Sequence, residues 1–540
     1  AKTIASIAAL VTEKPVGVGA PAYDRQVWES LTATPQGQTL ITSAEEALKQ
    51  PIPELTRELW LCYERTGDRK AYQDAFSQRI NRLADLALGE ALEYQGRFLL
   101  AIEQNILAIL NQGAWSVPAH GKDLEVFEGK RIVVDLAACQ LAWSLATIDY
   151  WLADKLPQDL RARIKSEIER RVLDPYLSAV RDGRPMWWMT NPNNWMAVCV
   201  GAITGTALTL EEDPEVRAEF IACALDMLPR YIDGFSDDGI SEEGINYWAF
   251  GFSHYLYASE AIRQTTKDAI DLLEDPKVFI ISQSPRNLEI GDGVYAAFGD
   301  QPIHASANLF LSDFAAMRYG LPLSPSSHFD IISKGFRHPL SPQLYSLILS
   351  TFGANAPTVQ YFTHTPEEED NIALRSWFTS SEIFIFRPSD EDPDGLGLAI
   401  RVGNNGESHN HNDIGSFVVV RGGVPVLVDP GMERYTKKSF GSHRYESDMT
   451  NSFGHPVPLV ANRMQKTGAD AYGTVESTHM SKESDIMVID LTHAYRSPGL
   501  VKLTRTVHYG RRTQKQDSFI EIRDQMQASK PVAFSTALVT

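Results

Sequence analysis

The hydrophobic pattern of the chain changes its period near residue 350, and this change constrains the fold more than any other feature. Before it, apolar residues recur at helical spacing, as in residues 133–156 and 161–177. After it, short runs alternate between apolar and polar residues, which is typical of β-strands. Runs of helices followed by runs of strands indicate two domains. We therefore predict a helical domain over residues 1–355 and an antiparallel β-sandwich over residues 356–540.

The helical part contains many segments of similar length joined by short polar turns. Besides the two segments above, helical patterns cover residues 44–65, 70–92, 93–112, 194–210, 214–231 and 246–264. This arrangement favours an α/α toroid or a helical solenoid, and the lack of a fixed sequence period makes a strict repeat the weaker choice. The predicted strands are residues 382–387, 396–402, 416–421, 424–428, 485–491, 500–508 and 531–540.

The balance of charges bears on the partners of the protein. There are 50 Lys and Arg residues against 69 Asp and Glu residues, a net charge of -19. A surface of this sign repels nucleic acid and anionic membranes, so neither is expected as a partner. No apolar run reaches the length of about 18 residues that a membrane-spanning helix needs. The sequence is compatible with a homo-oligomer.

The cysteines and the first residue bear on the cellular compartment. The wide spacing of Cys62, Cys139, Cys199 and Cys223 excludes a zinc ribbon or a CxxC redox motif. The numbering begins at Ala1 rather than at a methionine, which fits either removal of a signal peptide or trimming of the chain. We expect a periplasmic or secreted protein.

One polar stretch, residues 408–417 with the sequence SHNHNDIGSF, holds two closely spaced histidines. On an extended strand His409 and His411 would point to the same face, where two imidazoles need a metal, a carboxylate or a substrate beside them. Together His411, Asp429 and His455 form a donor set suited to zinc. The alternative is a polar network of histidines without a metal.

Two further stretches combine aromatic and amide side chains. Residues 237–257 begin with an acidic turn and continue with many aromatic residues. These rings suit either the apolar faces of sugar rings or the packing of a helix against its neighbours. Within this stretch Tyr247 can act as a base only beside positive charge, because an unperturbed phenol has a pKa of about 10. In residues 187–199, Asn193 and Asn194 either cap a helix or aim an amide at a substrate carboxylate.

Taken in this order, the three stretches resemble the heparinase II/III-like family of polysaccharide lyases. In that family an Asn-Trp helix start, a Glu-Gly-x-x-Tyr-Trp helix start and a His-Asn-His-x-Asp strand follow one another along the chain. Here these motifs are residues 194–195, 243–248 and 409–413, and Asp429 with the segment 451–455 (NSFGH) extends the likeness. The resemblance covers most of the chain and implies an incomplete α/α toroid followed by an antiparallel β-sandwich.

The resemblance also implies β-elimination on a polysaccharide or oligosaccharide that contains uronic acid. A base removes the proton at C5, and a neighbouring group must neutralise the uronate carboxylate because that proton is otherwise very weakly acidic. Tyr247 would be the base and would also protonate the departing O4 oxygen, with Tyr435 as a second candidate for the acid. Asn194 and His409 would neutralise the carboxylate.

Other residues are expected to bind the substrate or a metal. The substrate-binding set implied by the resemblance is Asn193, Trp195, Glu243, Trp248 and Arg444, with the arginine as a bidentate carboxylate partner. The metal set is His411, Asp429 and His455, which would hold a structural Zn2+ or another divalent metal below the cleft. Which of Asn193 and Asn194 faces the substrate stays open, as does the choice among glycosaminoglycan, alginate and other uronate polymers.

The net charge of the chain does not exclude an acidic sugar as the substrate. Residues 429–466 carry six Lys and Arg residues against four Asp and Glu residues, so this segment is locally basic although the whole chain is acidic. The resemblance places the segment at the wall of the cleft. An acidic sugar held in a locally basic groove is therefore compatible with the overall negative charge.

Two other functions stay open on the sequence alone. A glycoside hydrolase would need a pair of carboxyl groups, for which Asp237, Asp238, Glu242 and Glu243 are the candidates. A carbohydrate-binding protein without catalysis would use the aromatic residues as platforms for sugar rings. A lyase product absorbs ultraviolet light, a hydrolase product has a new reducing end without that absorbance, and a binding protein forms neither.

Overall fold

The structure is a computed structural model that describes residues 3–17, 19–241, 244–305, 307, 309–321, 374–389 and 391–540. By their packing, the described residues divide into two units. The first holds residues up to 234 together with 250–275 and 313–321, and the second holds 235–249, 276–312 and 374–540. The predicted domain boundary, between residues 355 and 356, lies outside the described residues and stays a prediction.

Helices make up the first unit. They are α1 (Ile4–Ala8), α2 (Arg25–Thr32), α3 (Pro35–Lys49), α4 (Arg57–Thr66), α5 (Lys70–Glu93), α6 (Leu99–Asn111), α7 (Leu124–Phe127), α8 (Leu136–Trp151), α9 (Gln158–Ile168), α10 (Asp174–Arg181), α11 (Asn194–Leu210) and α12 (Pro214–Asp233). Small polar side chains begin several of them: Thr34 accepts from the backbone N–H of Gly37, and Asp135 accepts from that of Ala138.

The centre of the first unit is the pair α8 and α11, whose residues are buried around almost the whole circumference of each helix. Burial on every face explains why both sequences are apolar throughout rather than amphipathic. The two helices approach closely at Gly205, because any side chain there would collide with the ring of Trp143. α11 also packs against α12, and α3 packs against α5.

One predicted helix, residues 44–65, is wrong. The chain instead ends α3 at Lys49 and begins α4 at Arg57, with a non-helical segment between them. Pro51 and Pro53 lie in that segment. A proline lacks the backbone N–H that a helix interior requires, and it disfavours helical conformation in the residue before it. The two prolines therefore outweigh the helical spacing of the apolar residues.

The strands of the described chain belong to the second unit. They are β1 (Arg375–Phe378), β2 (Ile383–Phe386), β3 (Leu396–Arg401), β4 (Asn404–Asn405), β5 (Phe417–Arg421), β6 (Val424–Leu427), β7 (Pro458–Val460), β8 (Gly468–Tyr472), β9 (Thr474–Met480), β10 (Ser484–Asp490), β11 (Leu500–Gly510), β12 (Phe519–Ala528) and β13 (Phe534–Thr536). α14 (Pro276–Leu288) also lies in this unit, whereas α13 (Ile245–Thr265) and α15 (Leu309–Arg318) have residues in both units.

Two antiparallel sheets form a sandwich in the second unit. One sheet has the strand order β1-β2-β3-β5-β6, and the other has the order β12-β11-β10-β9. Alternate residues of each sheet point into a shared core, as the period of two requires. The buried residues of that core include Phe384, Phe386, Leu398, Ile400, Met487, Ile489, Leu503 and Val507.

The five-stranded sheet is buried on its other face as well. The residues between the core positions, Ile385, Ala399 and Val418, pack against Ile240 and Ile290. These two isoleucines come from 235–249 and 276–312, parts of the chain that precede the strands. Burial on both faces explains why β2 reads IFIF and β5 reads FVVVR, with no regular alternation of apolar and polar residues.

The predicted order of helices followed by an antiparallel β-sandwich is confirmed. Sequence analysis missed β1, β4, β7, β8, β9 and β12. In β9 and β12 most residues are polar or exposed and the apolar alternation is weak. Sequence analysis also extended the last strand over residues 531–540, whereas β13 is only three residues long. Among the described helices, none is both long enough and apolar enough to cross a membrane.

The sandwich core generates a stability prediction. Leu398 is fully buried between the sheets, so Leu398→Ala should lower the free energy of unfolding by about 2–5 kcal/mol through lost burial and a residual cavity. Val424, at the sheet edge, is 61% exposed, and Val424→Ala should change stability by less than about 0.5 kcal/mol. Urea denaturation of both variants checks this, and equal midpoints for the two would contradict the assignment of the core.

Candidate active site

Residues 402–416, which join β3 to β5, form an irregular loop apart from the two residues of β4. The expectation that His409 and His411 lie on an extended strand is wrong, because residues 408–416 contain turns and no strand. His409 has φ +56°, in the left-handed region that residues with a Cβ rarely adopt. Such a conformation carries a cost of about 1–3 kcal/mol, and it recurs at functional sites where the surrounding structure enforces it.

Buried polar contacts hold this loop in place. Arg401, at the end of β3, forms ion pairs with Asp413 and Glu407, and both Arg401 and Asp413 are buried. The side chain of Gln465 pairs with the backbone of Ile414, accepting from its N–H at 2.9 Å and donating to its carbonyl at 2.8 Å. The loop therefore has fixed anchors on both sides of its histidines.

Asp300 joins both histidines of the loop. Its carboxylate is 3% exposed. Oδ2 accepts from His409 Nδ1 at 2.8 Å, and Oδ1 accepts from His411 Nε2 at 3.1 Å. Burial alone would raise the pKa of Asp300, but hydrogen bonds from His409, His411 and Arg444 outweigh it and hold the pKa well below its usual range. Asp300 is therefore a carboxylate that fixes the orientation of both imidazoles.

Two tyrosines lie beside His409. The hydroxyl oxygens of Tyr247 and Tyr435 are 2.9 Å apart, and the Tyr435 hydroxyl donates to Asp300 Oδ2 at 3.0 Å. The ring of Tyr247 lies 4.6 Å from the imidazole of His409, measured between centroids. Burial, Tyr247 and Asp300 together raise the pKa of Tyr435, so this phenol keeps its proton. Phe440, which is 59% exposed, contacts the rings of both Tyr435 and His409.

The guanidinium of Arg444 forms hydrogen bonds within the protein. Its Nη2 donates to Asp300 Oδ1 at 2.9 Å and to the carbonyl of Asn410 at 3.0 Å, while Nη1 donates to the carbonyl of Ser439. Its side chain is 11% exposed. The predicted role as a bidentate partner of a substrate carboxylate stays a prediction, and in this structure the guanidinium neutralises Asp300.

His411, Asp429 and His455 come together as a candidate metal site. All three are fully buried, and one potential ligand atom from each lies within 4.8 Å of the others. Asp429 also accepts from Ser416 Oγ at 2.5 Å and from the backbone N–H of Gly431 at 3.0 Å. A buried carboxylate beside two imidazoles is the kind of donor set that binds a divalent metal.

The hydrogen bonds of the two imidazoles fit metal binding. His455 Nε2 lies 3.1 Å from the carbonyl of Met449, and a carbonyl can only accept, so Nε2 carries the hydrogen. His411 Nε2 in turn donates to Asp300. Nδ1 of His411 is then an acceptor, and it is buried without a hydrogen-bond partner. Nδ1 of His455 lies 2.8 Å from Asp429 Oδ2, and this carboxylate raises the pKa of the imidazole against the effect of burial, so a metal here would replace the proton between them. A cation at this point would satisfy both nitrogens and the carboxylate.

The other predicted substrate-binding residues lie in different places. Asn193 is the N-cap of α11, where its side-chain oxygen accepts from the backbone N–H of Trp195, and Asn194 is the buried first residue of that helix. These three residues belong to the first unit. Trp248 is buried in the second unit, and its indole N–H donates to the carbonyl of Ile281. Glu243 lies outside the described residues.

A cavity in the second unit reaches the candidate site. Its empty volume, including its open mouth, is about 970 Å3. The lining combines apolar with polar side chains, including Trp248, Phe298, Ile383, Gln301, Glu407 and His409. A concave site that combines apolar walls with a few convergent polar groups is typical of a ligand-binding site.

Sequence analysis missed Asp300 and Phe440. Asp300 follows Phe298-Gly299 as a single acidic residue in an irregular segment, with no spacing that relates it to the histidines. Phe440 lies in the basic segment 429–466 as a single aromatic residue, and no motif relates it to the histidines. The only available signal for Asp300 was a chemical one, since two adjacent imidazoles require a partner.

The acids proposed for a glycoside hydrolase are arranged differently from a catalytic pair. Asp238 accepts from Ser236 Oγ and from the backbone N–H of Ser380, so its carboxylate holds a turn. Asp237 is exposed. Glu242 and Glu243 lie outside the described residues. A hydrolase also needs a carboxylic acid with a raised pKa, whereas the pKa of Asp300 is lowered.

Comparisons with known proteins agree with this architecture. Residues 375–537 match the model of the family described as heparinase II/III-like, C-terminal. A crystal structure of heparinase III is similar with a TM-score of 0.60 and 13% identity, covering 95% of this chain and 74% of that chain. A mutant heparan sulfate lyase from Pedobacter heparinus is similar with a TM-score of 0.52 and 13% identity, covering 92% and 75%. No curated protein matches the sequence.

The family match and the structural likeness support different statements. The match over residues 375–537 confirms the predicted resemblance for the part of the chain that holds the third motif, residues 409–413, together with Asp429 and the segment 451–455. The solved structures share the fold, with a helical region followed by antiparallel sheets, at an identity too low to carry more than that.

The ion pair between Asp300 and Arg444 can be tested by a double-mutant cycle. Asp300→Asn and Arg444→Gln should show a coupling free energy of about 2 kcal/mol in urea denaturation, because both groups are largely buried. The cycle cancels the effect of Asp300→Asn on the two histidines. The solvent-exposed pair Lys502 and Glu476 is the control, and its coupling should be much smaller because water screens it. Strictly additive effects of the two buried substitutions would contradict the assigned contact.

Proposed function

We propose that this chain, whose residues 375–537 form a heparinase II/III-like C-terminal region, is a polysaccharide lyase. It cleaves a polysaccharide or oligosaccharide that contains uronic acid, by β-elimination. The observation that supports this most directly is the hydroxyl pair of Tyr247 and Tyr435, 2.9 Å apart and beside His409. This arrangement provides a base, an acid and a group that stabilises negative charge within one site.

The first step is removal of the proton at C5 of the uronate. Tyr247, as the phenolate, takes this proton, and the electrons of the C5–H bond move towards the carboxylate to form an enolate-like intermediate. His409 lies beside Tyr247, and its Nδ1 donates to the Asp300 carboxylate at 2.8 Å. As an imidazolium ion paired with the Asp300 carboxylate, His409 would stabilise the charge that develops on the substrate carboxylate.

The second step breaks the bond between C4 and its oxygen. The electrons of the enolate form the C4–C5 double bond, and the departing oxygen must receive a proton. Tyr435 keeps its proton and is proposed to supply it, since an alkoxide is more basic than a phenolate. The proton gained by Tyr247 can then pass to Tyr435 across the 2.9 Å contact, which returns both phenols to their starting states.

Asp300 is proposed to hold this machinery in position. Its lowered pKa keeps it from acting as an acid, and its carboxylate accepts from every group that it contacts among the described residues. By accepting from His409 and Tyr435 at the same oxygen, it sets the distance between the charge-stabilising group and the acid. Catalytic groups must be held within fractions of an ångström, so this shared acceptor contributes directly to rate.

The candidate metal site is proposed to bind Zn2+. Two imidazole nitrogens and one carboxylate oxygen are the donors, from His411, Asp429 and His455. Zinc bound here would supply positive charge and a rigid anchor for the loop that carries His409. Because His411 also donates to Asp300, the anchor and the catalytic histidine share one carboxylate.

The substrate and its location follow from the same proposal. An anionic polymer of uronate residues is the proposed partner, bound near the basic segment 429–466. The periplasm or the cell exterior, where such polymers occur, is the proposed location.

Activity is tested with a panel of uronate polymers of defined linkage and sulfation. Ultraviolet absorbance should rise with the wild-type protein on at least one polymer, because the product contains a double bond conjugated to a carboxylate. Tyr247→Phe should lower kcat by about 10²–10⁴-fold with little change in substrate binding, since it removes only the base. Tyr472→Phe, on a half-exposed tyrosine stacked on His493, is the control and should retain activity. New reducing ends without absorbance would indicate a hydrolase.

Metal binding is tested by elemental analysis. His411→Ala should reduce the bound metal per chain and lower the melting temperature, because it removes one of three donors. His479→Ala, which replaces an exposed histidine on β9, should change neither quantity. Equal metal content and equal melting temperatures for the two variants would exclude the site. Treatment of the wild-type protein with a chelator should reproduce the effect of His411→Ala.

A further inference from the structure

A second cluster of recognition residues lies in the first unit, at the start of α11. It is a contiguous row of four side chains from three separate parts of the chain: Arg69, His120, Trp195 and Trp187. Arg69 directly precedes α5, and His120 is the last residue of the turn at 117–120. Trp187 begins a short 3-10 helix before α11. The row combines one cation with two large aromatic rings.

Arg69 is a cation without a carboxylate partner in the described part of the chain. Its Nη2 lies 3.3 Å from His120 Nε2, and no other side-chain contact of this guanidinium occurs among the described residues. Its Nε is buried and has no hydrogen-bond partner. Leaving a guanidinium nitrogen unsatisfied is costly, and an anionic ligand would relieve that cost.

His120 is held as a fixed wall beside this cation. Its Nδ1 donates to Asp135 Oδ2 at 2.7 Å, and Asp135 is buried as the N-cap of α8. An arginine can only donate, so Nε2 of His120 accepts from Arg69. Both ring nitrogens are therefore used, and the imidazole positions Arg69 rather than contacting a ligand through a free nitrogen.

The two tryptophans form an aromatic surface next to His120. The ring of Trp195 lies 4.6 Å from that of His120 and 4.8 Å from that of Trp187, and Trp187 is 55% exposed. Trp188 anchors the turn by donating its indole N–H to the carbonyl of Val134, which leaves Trp187 pointing to solvent. Neither indole N–H of Trp187 and Trp195 donates to any described residue.

We propose that this row is a binding subsite for an acidic sugar residue. A sugar ring stacks on Trp187 and Trp195, and its carboxylate or sulfate pairs with Arg69. The free indole N–H groups donate to hydroxyl groups, as suits rings that are apolar on one side and polar at the edge. The inference rests on the proposed function for its class of ligand. To Trp195, which the resemblance already implies as a substrate-binding residue, it adds Arg69, His120 and Trp187.

Charge recognition is tested by comparing an acidic ligand with its neutral counterpart. Dissociation constants are measured by calorimetry for a uronate oligosaccharide and for the same oligosaccharide with its carboxyl groups reduced to alcohols. All measurements use the Tyr247→Phe background to prevent turnover. Arg69→Gln should weaken binding of the acidic ligand about tenfold or more, the loss expected for a charge-assisted hydrogen bond, and should leave the neutral ligand almost unaffected.

The control for charge is Arg184→Gln, close to the same turn. Arg184 is a highly exposed arginine that already pairs with Asp182, so its removal should change neither dissociation constant appreciably. Trp187→Ala should weaken both ligands, because stacking does not depend on the carboxylate. Trp377→Ala, which removes an exposed tryptophan of the second unit, is its control and should have no effect.

The outcomes separate this inference from the lyase proposal. Unchanged dissociation constants in both Arg69→Gln and Trp187→Ala, with turnover by the wild-type protein, would overturn the subsite and leave the lyase proposal standing. Equal weakening of the acidic and neutral ligands by Arg69→Gln would overturn the role of the cation. Absence of turnover on every polymer, with binding that depends on Arg69 and Trp187, would support the subsite and reject the lyase. No binding of any uronate oligosaccharide would overturn the subsite.

Discussion

The candidate site depends on one buried carboxylate that must be neutralised. Asp300 is 3% exposed, and an ionised carboxylate in such a place is stable only when donors surround it. His409, His411, Tyr435 and Arg444 supply those donors. Since each donor comes from a different position in the loops of the second unit, satisfying the charge brings these loops into one arrangement. The chemistry proposed for Tyr247 and His409 is a consequence of that arrangement.

Much of the architecture and part of the site could be predicted from the sequence. The change of hydrophobic period correctly predicted helices followed by an antiparallel sandwich, and the donor types of His411, Asp429 and His455, taken with the resemblance, led to three residues that do come together. The helix over 44–65 failed because the prolines at 51 and 53 act locally while apolar periodicity is averaged over many residues. Strands with few apolar residues, such as β9 and β12, were missed because their pairing with neighbouring strands leaves no apolar pattern in the sequence.

Asp300 could not be predicted, and the reason is physical. Its partners lie between 109 and 144 residues away along the chain, so no local pattern relates them. Its importance arises from burial and from the number of donors, which are properties of the folded structure. The strand expected at His409 failed for a related reason: the left-handed backbone there is imposed by contacts outside the motif.

The five-stranded sheet is buried on both faces, and the residues that cover one face lie outside the region that the family model matches. The family model matches residues 375–537, yet Ile385, Ala399 and Val418 are covered by residues that precede that stretch by more than eighty positions. Cut out by itself, the recognisable domain would present an apolar sheet face to water and would be prone to self-association. During synthesis the covering segments leave the ribosome before the strands that they pack against. The second unit therefore folds late, through contacts between residues far apart in the sequence.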